Sequence, residues 1–534
     1  MSEDFASSAP DRGPGAALDR RLPGILFLAG LVGAFPVVRS LRVADLNWCY
    51  PYLSSDSYDW INNGLYWAGA PLRPNFRPPG LPIVMGVLER LGALNGLPVL
   101  NFVLLGATAV LLYRLLRERF RPSVAALSTW VFFANGYVQD FTRWILAEVW
   151  AVFFLVLAVL LFVRAGRRPR AYVPVGLALG ASFLFHYAAL PAALGLVAAV
   201  LVTRREHLRE PWLWAGAAAG ALLPAIWLAF RWWQSSRDPL GPRHGVEALV
   251  RFAPQNLRFY AFASLALIGL LVVPLYLAGA LRCLDRTGRE ERLLRTVFTP
   301  VISALVLFFG LFYDWNDKRF LLYLFPFALG FFALGVERLV EWGRRTPALR
   351  VVAGSYLLAA LAWNQIVYPP YGIQFLALTP RDFLQASATR DAALNTTLHL
   401  SGARVVRLHR SLPGAFAGGL FDFRLRRPDC RTGDEAYASV AELRRRLDAT
   451  LGPATPVGME RLPTWPDDTW ASRTRMSNEL RRSVVLPDSA PCRIAPGPQP
   501  GLRQALSAGP YTVNCLEAAA GPAALPVTES APAF

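Results

Sequence analysis

The chain has 534 residues, of which 54% are hydrophobic, with a mean hydropathy of +0.33 and a formal charge of +18. This excludes a soluble globular protein of such length, and apolar runs of about 20 residues, continuous rather than alternating, exclude a β-barrel. The charge does not imply nucleic acid, and no nucleic-acid partner is expected: nearly every cation is an arginine just outside an apolar run, as in cytoplasmic loops.

Residues 1–22 read as a cytoplasmic arm ending in Arg20 and Arg21, with no convincing cleavage site. A first span is predicted at about 23–40, followed by an outer loop, 41–80. The stretch Ser54 to Pro79 carries two acids, Asp56 and Asp59, and Tyr58, Trp60, Tyr66 and Trp67 at near-helical spacing. It leaves through Arg77-Pro78-Pro79. The aromatic spacing predicts a short helix lying in the membrane interface, with Asp56 at the surface facing the bundle. Residues 80–93 are apolar but broken by Glu89 and Arg90, so they too are predicted to lie partly in the interface.

Spans are predicted at 98–113, 123–138 and 144–163, the last two joined by a turn at 139–143. Arg114, Arg117, Arg119, Arg121, Arg164, Arg167, Arg168 and Arg170 close their cytoplasmic ends. Residues 172–203 are too many for one crossing and too few for two full ones. A bent hairpin turning near His186, with Pro191 supplying the bend, keeps the later arginine clusters inside. Further spans are expected at 211–230, 259–281, 297–313, 320–336 and 347–365. The loop 231–258, with five arginines, is an outer exception to the charge rule.

The fold class is therefore an all-α polytopic membrane protein of about eleven transmembrane helices over 23–365. Its C-terminal part, 366–534, is expected outside as a small α/β domain, with a helix at 435–451 and a disordered end after about 517. The five cysteines give no zinc spacing. Cys430, Cys492 and Cys515 lie in the tail, where one disulfide is expected and its pairing is open.

Four groups of polar residues converge on the outer face under this topology. Asp56 and Asp59 are the first; a loop acid is ordinarily only solvated, but a carboxylate at this depth can act as general base on a hydroxyl or amine. Asp140, Arg143 and Glu148 are the second. Glu148 lies a turn inside a span, where an acid costs about 2.5–3.5 kcal/mol unless it meets a partner or a wet cavity. It either pairs structurally with Arg143 or lines the same cavity as Asp56. His186 is the third, a buried core histidine or a phosphate contact. The fourth is the turn Asp314 to Phe320, where the single lysine, Lys318, and Arg319 open a span on the outside; a planar fork and a point charge together suit a phosphate. Acids and phosphate-sized cationic sites around one cavity suggest a lipid-phosphate donor whose leaving charge is stabilised by the cations.

In order and placement these motifs resemble the membrane glycosyltransferases of the GT-C fold. The family 39-like group, protein O-mannosyltransferases and the lipid A aminoarabinose transferase, is the nearest in kind. The residues that carry the resemblance are Asp56-Ser57-Tyr58-Asp59-Trp60, Arg77-Pro78-Pro79 with Pro82, Glu148, and Lys318-Arg319-Phe320 with Pro326. It extends over roughly 23–365. The resemblance implies inverting transfer from a polyprenyl-phosphate sugar to a lipid, glycan or protein acceptor on the outer face. Asp56 becomes the catalytic acid/base, with Glu148 in the same cavity and Asp59 and Asp140 as alternative second acids. Arg319, with Lys318 and His186, becomes the lipid-phosphate site, and Tyr58 and Arg77 belong to the loop that meets donor and acceptor. Relatives often read Asp-Glu where this chain has Asp56-Ser57, and carry a lysine or arginine where it has His186. No cofactor or metal ligand set is expected, a divalent ion being left open. The expected location is a bacterial inner membrane, with the N-terminus cytoplasmic, the tail periplasmic, and membrane lipids as further partners. A transporter of a lipid-linked glycan, or a non-catalytic envelope scaffold, would use the same acids differently.

Overall fold

The computed structural model describes residues 14–33, 55–70, 72, 77–135, 138–139, 141–235, 271–284, 289–312, 318–367 and 442–451, with scattered positions between 253 and 268 and the strands and adjoining residues between 456 and 515. Thirteen helices within 14–367 are labelled here. These are α1 (Pro14–Gly33), α2 (Ser55–Ala68), α3 (Gly80–Arg90), α4 (Leu97–Arg117), α5 (Pro122–Phe133), α6 (Glu148–Ala165) and α7 (Tyr172–Phe185). They continue as α8 (Ala189–Thr203), α9 (Pro211–Ser235) and α10 (Val273–Leu284). α11 runs through Arg289–Leu293, Leu294–Phe298, Thr299–Leu307 and Phe308–Phe312, its second and fourth stretches in π geometry, and α12 (Leu321–Gly343) and α13 (Pro347–Val367) follow.

Among the described residues, five helices are long and apolar enough to cross a bilayer: 94–117, 148–165, 211–232, 291–311 and 321–343. Shorter apolar helices lie at 21–31, 122–133, 189–203, 273–284 and 347–361. The described parts of the expected spans are mostly helical, but the helix expected at 123–138 ends at Phe133 and the one expected at 144–163 begins only at Glu148, while much of the expected span at 259–281 falls outside the described residues. α12 is the central post, packing against α5, α6, α10, α11 and α13. The α7–α9 crossing follows from four glycines. A Cβ on Gly176 would collide with the Gly216 carbonyl, and one on Gly180 with that of Gly220. Small residues four apart on both helices let the backbones approach, which is how apolar helices gain contact energy where lipid removes the hydrophobic difference.

The short helix expected after Ser54 is present as α2, packed against α3. Gly64 lies against Met85 and Gly86 against Trp67, and Arg90 donates to the Trp67 carbonyl at 2.9 Å, closing the end of α2. The bend in 172–203 has a different cause from the one expected. α7 stops at His186, whose backbone is extended (φ −155°, ψ 130°), and Pro191 sits in the first turn of α8, where a proline costs no hydrogen bond. The break is made by His186, not by the proline.

In the tail, residues 442–451 form α14, covering the later part of the helix expected at 435–451. Five strands, β1 (Val457–Met459), β2 (Val484–Val485), β3 (Cys492–Ala495), β4 (Arg503–Ala508) and β5 (Tyr511–Cys515), form a mixed sheet in the order β2-β1-β3-β5-β4. Cys492 and Cys515 face each other in the β3–β5 register and form a disulfide, which settles their pairing; Cys430 and the end after 517 lie outside the described residues.

Candidate active site

The site is built where helix ends meet. Residues 141–147, which lead into α6, form neither helix nor strand, so their carbonyls need side-chain partners. Asn101, inside the apolar α4, donates to the Thr142 and Trp144 carbonyls at 3.2 and 3.3 Å and accepts from Trp150 Nε1 at 2.8 Å. Gln139 donates to the Phe133 carbonyl at 2.9 Å. These bonds fix where α6 starts, and therefore where its first residue, Glu148, is held. Ser182 donates to the Ala151 carbonyl at 2.7 Å and ties α7 alongside.

Glu148 is 1% exposed. Its carboxylate sits at a helix N-terminus, where the partial positive charge favours it. Arg319 Nε approaches Oε1 to 3.5 Å and His186 Nε2 approaches it to 3.8 Å. Arg319 comes from a 3₁₀ turn, Lys318–Phe320, that leads into α12. The turn is anchored by Phe320, 1% exposed and stacked on Phe309 of α11 at 4.5 Å. His186 rests against the rings of Phe320 and Tyr323, at 6.1 and 5.8 Å. The Ala188 N–H donates to His186 Nδ1 at 3.0 Å. In the neutral ring Nδ1 is then the acceptor and Nε2 carries the proton, on the side of Glu148.

A second ion pair lies beside the first. Arg77 Nε and Nη2 approach Asp59 Oδ2 to 3.3 and 3.2 Å, and the guanidinium lies 5.4 Å over the Trp60 ring. Asp59 is 3% exposed, on α2. The two pairs share one end of the bundle. Gly80, three residues after Arg77, lies against the Leu184 carbonyl and the Phe185 ring, and Tyr187 lies within electrostatic reach of Arg77 and Arg231. Trp227 donates to the Tyr187 hydroxyl at 3.0 Å, and Arg231, 6% exposed, lies over Trp227 at 5.8 Å.

Of the expected site residues, Glu148, His186 and Arg319 are therefore brought together, and Asp59 and Arg77 form the neighbouring pair. Asp56 and Tyr58 lie on α2 and Lys318 in the turn before α12, their side chains outside the described ones; Asp140 is outside altogether. Sequence reasoning did not single out Asn101, Trp150, Tyr187, Tyr323, Trp227 or Arg231. Asn101 had a signal, an amide within an apolar run. Arg231 had another, as the first arginine of the outer loop that broke the charge rule. Among the described residues no three His, Cys, Asp or Glu side chains group as a metal site.

The opposite end of the bundle is arginine-rich. Arg164 and Arg167 pair with Glu118 at 3.0 and 3.7 Å, Arg204 donates to the Phe162 carbonyl at 2.7 Å, and Arg282 bridges Glu291 and Glu341 at 3.1 and 2.7 Å. The two ends thus differ in kind: acids meeting cations among aromatic rings at one, arginines tying helix ends at the other.

Comparison with known proteins agrees with this architecture. Residues 77–230 match the family described as dolichyl-phosphate-mannose-protein mannosyltransferase. No match was found among curated protein sequences. The fold is similar to the crystal structure of ArnT from Cupriavidus metallidurans in the apo state, at 16% identity and a TM-score of 0.51, over 93% of this chain and 98% of that one. It is also similar to the archaeal oligosaccharyltransferase AglB from Archaeoglobus fulgidus in complex with an inhibitory peptide and a dolichol-phosphate. There the identity is 12% and the TM-score 0.50, over 88% of this chain and 65% of that one. The resemblance to the GT-C membrane glycosyltransferases is borne out.

Proposed function

We propose that this GT-C membrane glycosyltransferase moves a sugar from a polyprenyl-phosphate carrier to a lipid, glycan or protein acceptor on the periplasmic side of a bacterial inner membrane. The observation that carries the reading is the cluster of Glu148, Arg319 and His186, buried where α6, α7 and α12 meet, at the end away from the arginine-rich one. The family description, which names a dolichyl-phosphate-mannose donor, and the dolichol-phosphate bound to AglB support a lipid-phosphate carrier. The charge rule supports a cytoplasmic arginine end, and the Cys492–Cys515 disulfide supports an oxidising compartment for the tail.

In the reaction, the acceptor oxygen or nitrogen attacks the anomeric carbon as the bond from that carbon to the phosphate oxygen breaks. The acceptor proton goes to Asp56, and the electron pair of the broken bond leaves with polyprenyl phosphate. Arg319, with Lys318, holds that phosphate through charge-assisted hydrogen bonds and stabilises its growing charge. Glu148 fixes the guanidinium, and attack opposite the leaving group inverts the anomeric centre. Arg77 already holds the Asp59 carboxylate, which favours Asp56 over Asp59 as the base.

The test is incubation of the purified chain with a panel of polyprenyl-phosphate sugars and acceptors, reading release of free polyprenyl phosphate. One donor should be consumed, and Asp56→Asn should abolish consumption while inserting normally. An Asp56→Asn protein that transfers at the wild-type rate would overturn the assignment of the base. A wild type that consumes no donor but moves one across a vesicle membrane would replace transfer by transport.

A further inference from the structure

α11 carries two π stretches, and the second, Phe308–Phe312, lies beside the site. In π geometry the hydrogen-bond ladder steps from four residues to five, so a carbonyl at the switch needs another donor. The Phe309 carbonyl accepts from Asn256 Nδ2 at 3.2 Å, across 53 residues of chain. Asn256 is 1% exposed, so water does not compete for the bond. The next residues close the same contact. Leu257 Cδ2 lies 3.0 Å from where a Cβ on Gly310 would stand, so the glycine lets the two segments approach.

The π turn carries the Arg319 side of the site. The buried Phe309 ring stacks on Phe320 at 4.5 Å, with 10° between the planes, and lies 6.4 Å from Tyr323. Phe320 adjoins Arg319, whose guanidinium lies 5.5 Å over the Phe320 ring. Phe320 and Tyr323 are also the rings against which His186 rests. One stack therefore stands beneath both groups that face Glu148. A shift of the turn would pass to the guanidinium, and a displacement of about 1 Å is enough to cost most of a reaction rate. We propose that Asn256 is a positioning residue for Arg319. It holds the π turn of α11, and through Phe309 and Phe320 it aims the guanidinium at the phosphate of the sugar donor. The proposal rests on the transfer reading above.

The experiment uses the full chain with 4-fluorophenylalanine in place of Phe320, read by its fluorine resonance, together with the kinetics of sugar-donor consumption. Asn256→Leu keeps the bulk and removes the amide. Its fluorine resonance should move, while the same label in place of Phe162, at the arginine-rich end, should stay. kcat/KM for the sugar donor should fall about ten- to hundredfold, with the acceptor KM unchanged. Asn256→Gln keeps an amide and should give both effects at smaller amplitude, which covers the case in which the leucine variant does not fold. In an Arg319→Gln background Asn256→Leu should cost nothing further, because the two residues act in one chain of contacts. An unmoved resonance would overturn the proposal. So would a moved resonance with kcat lowered only in proportion to the folded fraction, or additive losses in the double variant. Because the resonance does not depend on turnover, a wild type that consumes no donor would strike the transfer reading, while the shift would still decide for or against the tether.

Discussion

Two glutamates of this chain each face two basic side chains. Glu148 opens α6 against Arg319 and His186, and Glu442, the first described residue of α14, faces Arg445 and Arg446. The geometry looks better at the second: 2.6 Å contacts from residues one turn along the same helix, against 3.5 and 3.8 Å at the first. Yet the Glu442 side chain is 34% exposed and that of Glu148 only 1%. Water screens the surface pairs and offers Glu442 partners if the arginines leave. Around Glu148 the packing of three helices has removed that alternative, so each charge depends on the others. Distance alone therefore misranks the two; burial decides which pair the molecule needs.

The largest effect should follow from breaking the buried pair on one side. Arg319→Ala leaves the Glu148 carboxylate buried without the guanidinium, a loss of about 3–5 kcal/mol in a membrane-domain melt, together with loss of donor consumption. Arg445→Ala should melt as wild type does; equal melts for the two variants would break the comparison. Next in size is a covalent control in the tail. Removing the Cys492–Cys515 bond, whose partners are 23 residues apart, by Cys492→Ser with Cys515→Ser should cost about 3 kcal/mol of local stability, read by protease sensitivity of the sheet, and leave donor consumption unchanged. Smaller again is the coupling between Glu148→Gln and Arg319→Gln. A double-mutant cycle should give about 1–3 kcal/mol there, and near zero would remove the pairing from the mechanism.

Much of the fold was legible because membrane chemistry writes in long strokes. Runs of apolar residues and arginine clusters located α4, α6, α9, α11 and α12, and the aromatic spacing after Ser54 located α2. The motifs around Glu148 and Arg319 were legible for a related reason: a charge inside or at the edge of an apolar run stands out. What stayed hidden has no such contrast. Tyr323, Trp150 and Trp227 are aromatic residues among aromatic residues, and only the packing assigns them to His186, Asn101 and Tyr187. The bend at 186 was misattributed because a proline is a louder signal than an extended backbone. Cysteine pairing was open because it depends on strand register, which two-residue periodicity within the tail did not specify.

His186 gives a sharper version of the same comparison. Its Nδ1 accepts from the Ala188 N–H, which leaves Nε2 toward Glu148 at 3.8 Å. His186→Gln, which keeps a side-chain donor, should therefore retain more donor consumption than His186→Ala. Equal losses in the two variants would remove that donor from the site.

The smallest effect belongs to Glu442. Hydrogen bonds from Arg445 and then Arg446 pull its carboxyl down to about 2. A depressed carboxyl stabilises the folded form above the unfolded value, and the contribution fades as pH falls from the ordinary glutamate range toward about 2. Because the group is open to solvent, screening leaves that contribution too small to separate from wild type in a melt at pH 7. Glu442→Gln should accordingly unfold at the wild-type temperature at neutral pH, while a carboxyl resonance titration of the wild type should still report the low value. A pair can thus be strong enough to move a proton and still be dispensable to the fold. A large melting shift on Glu442→Gln would mean that α14 is held against something that excludes water, as Glu148 is.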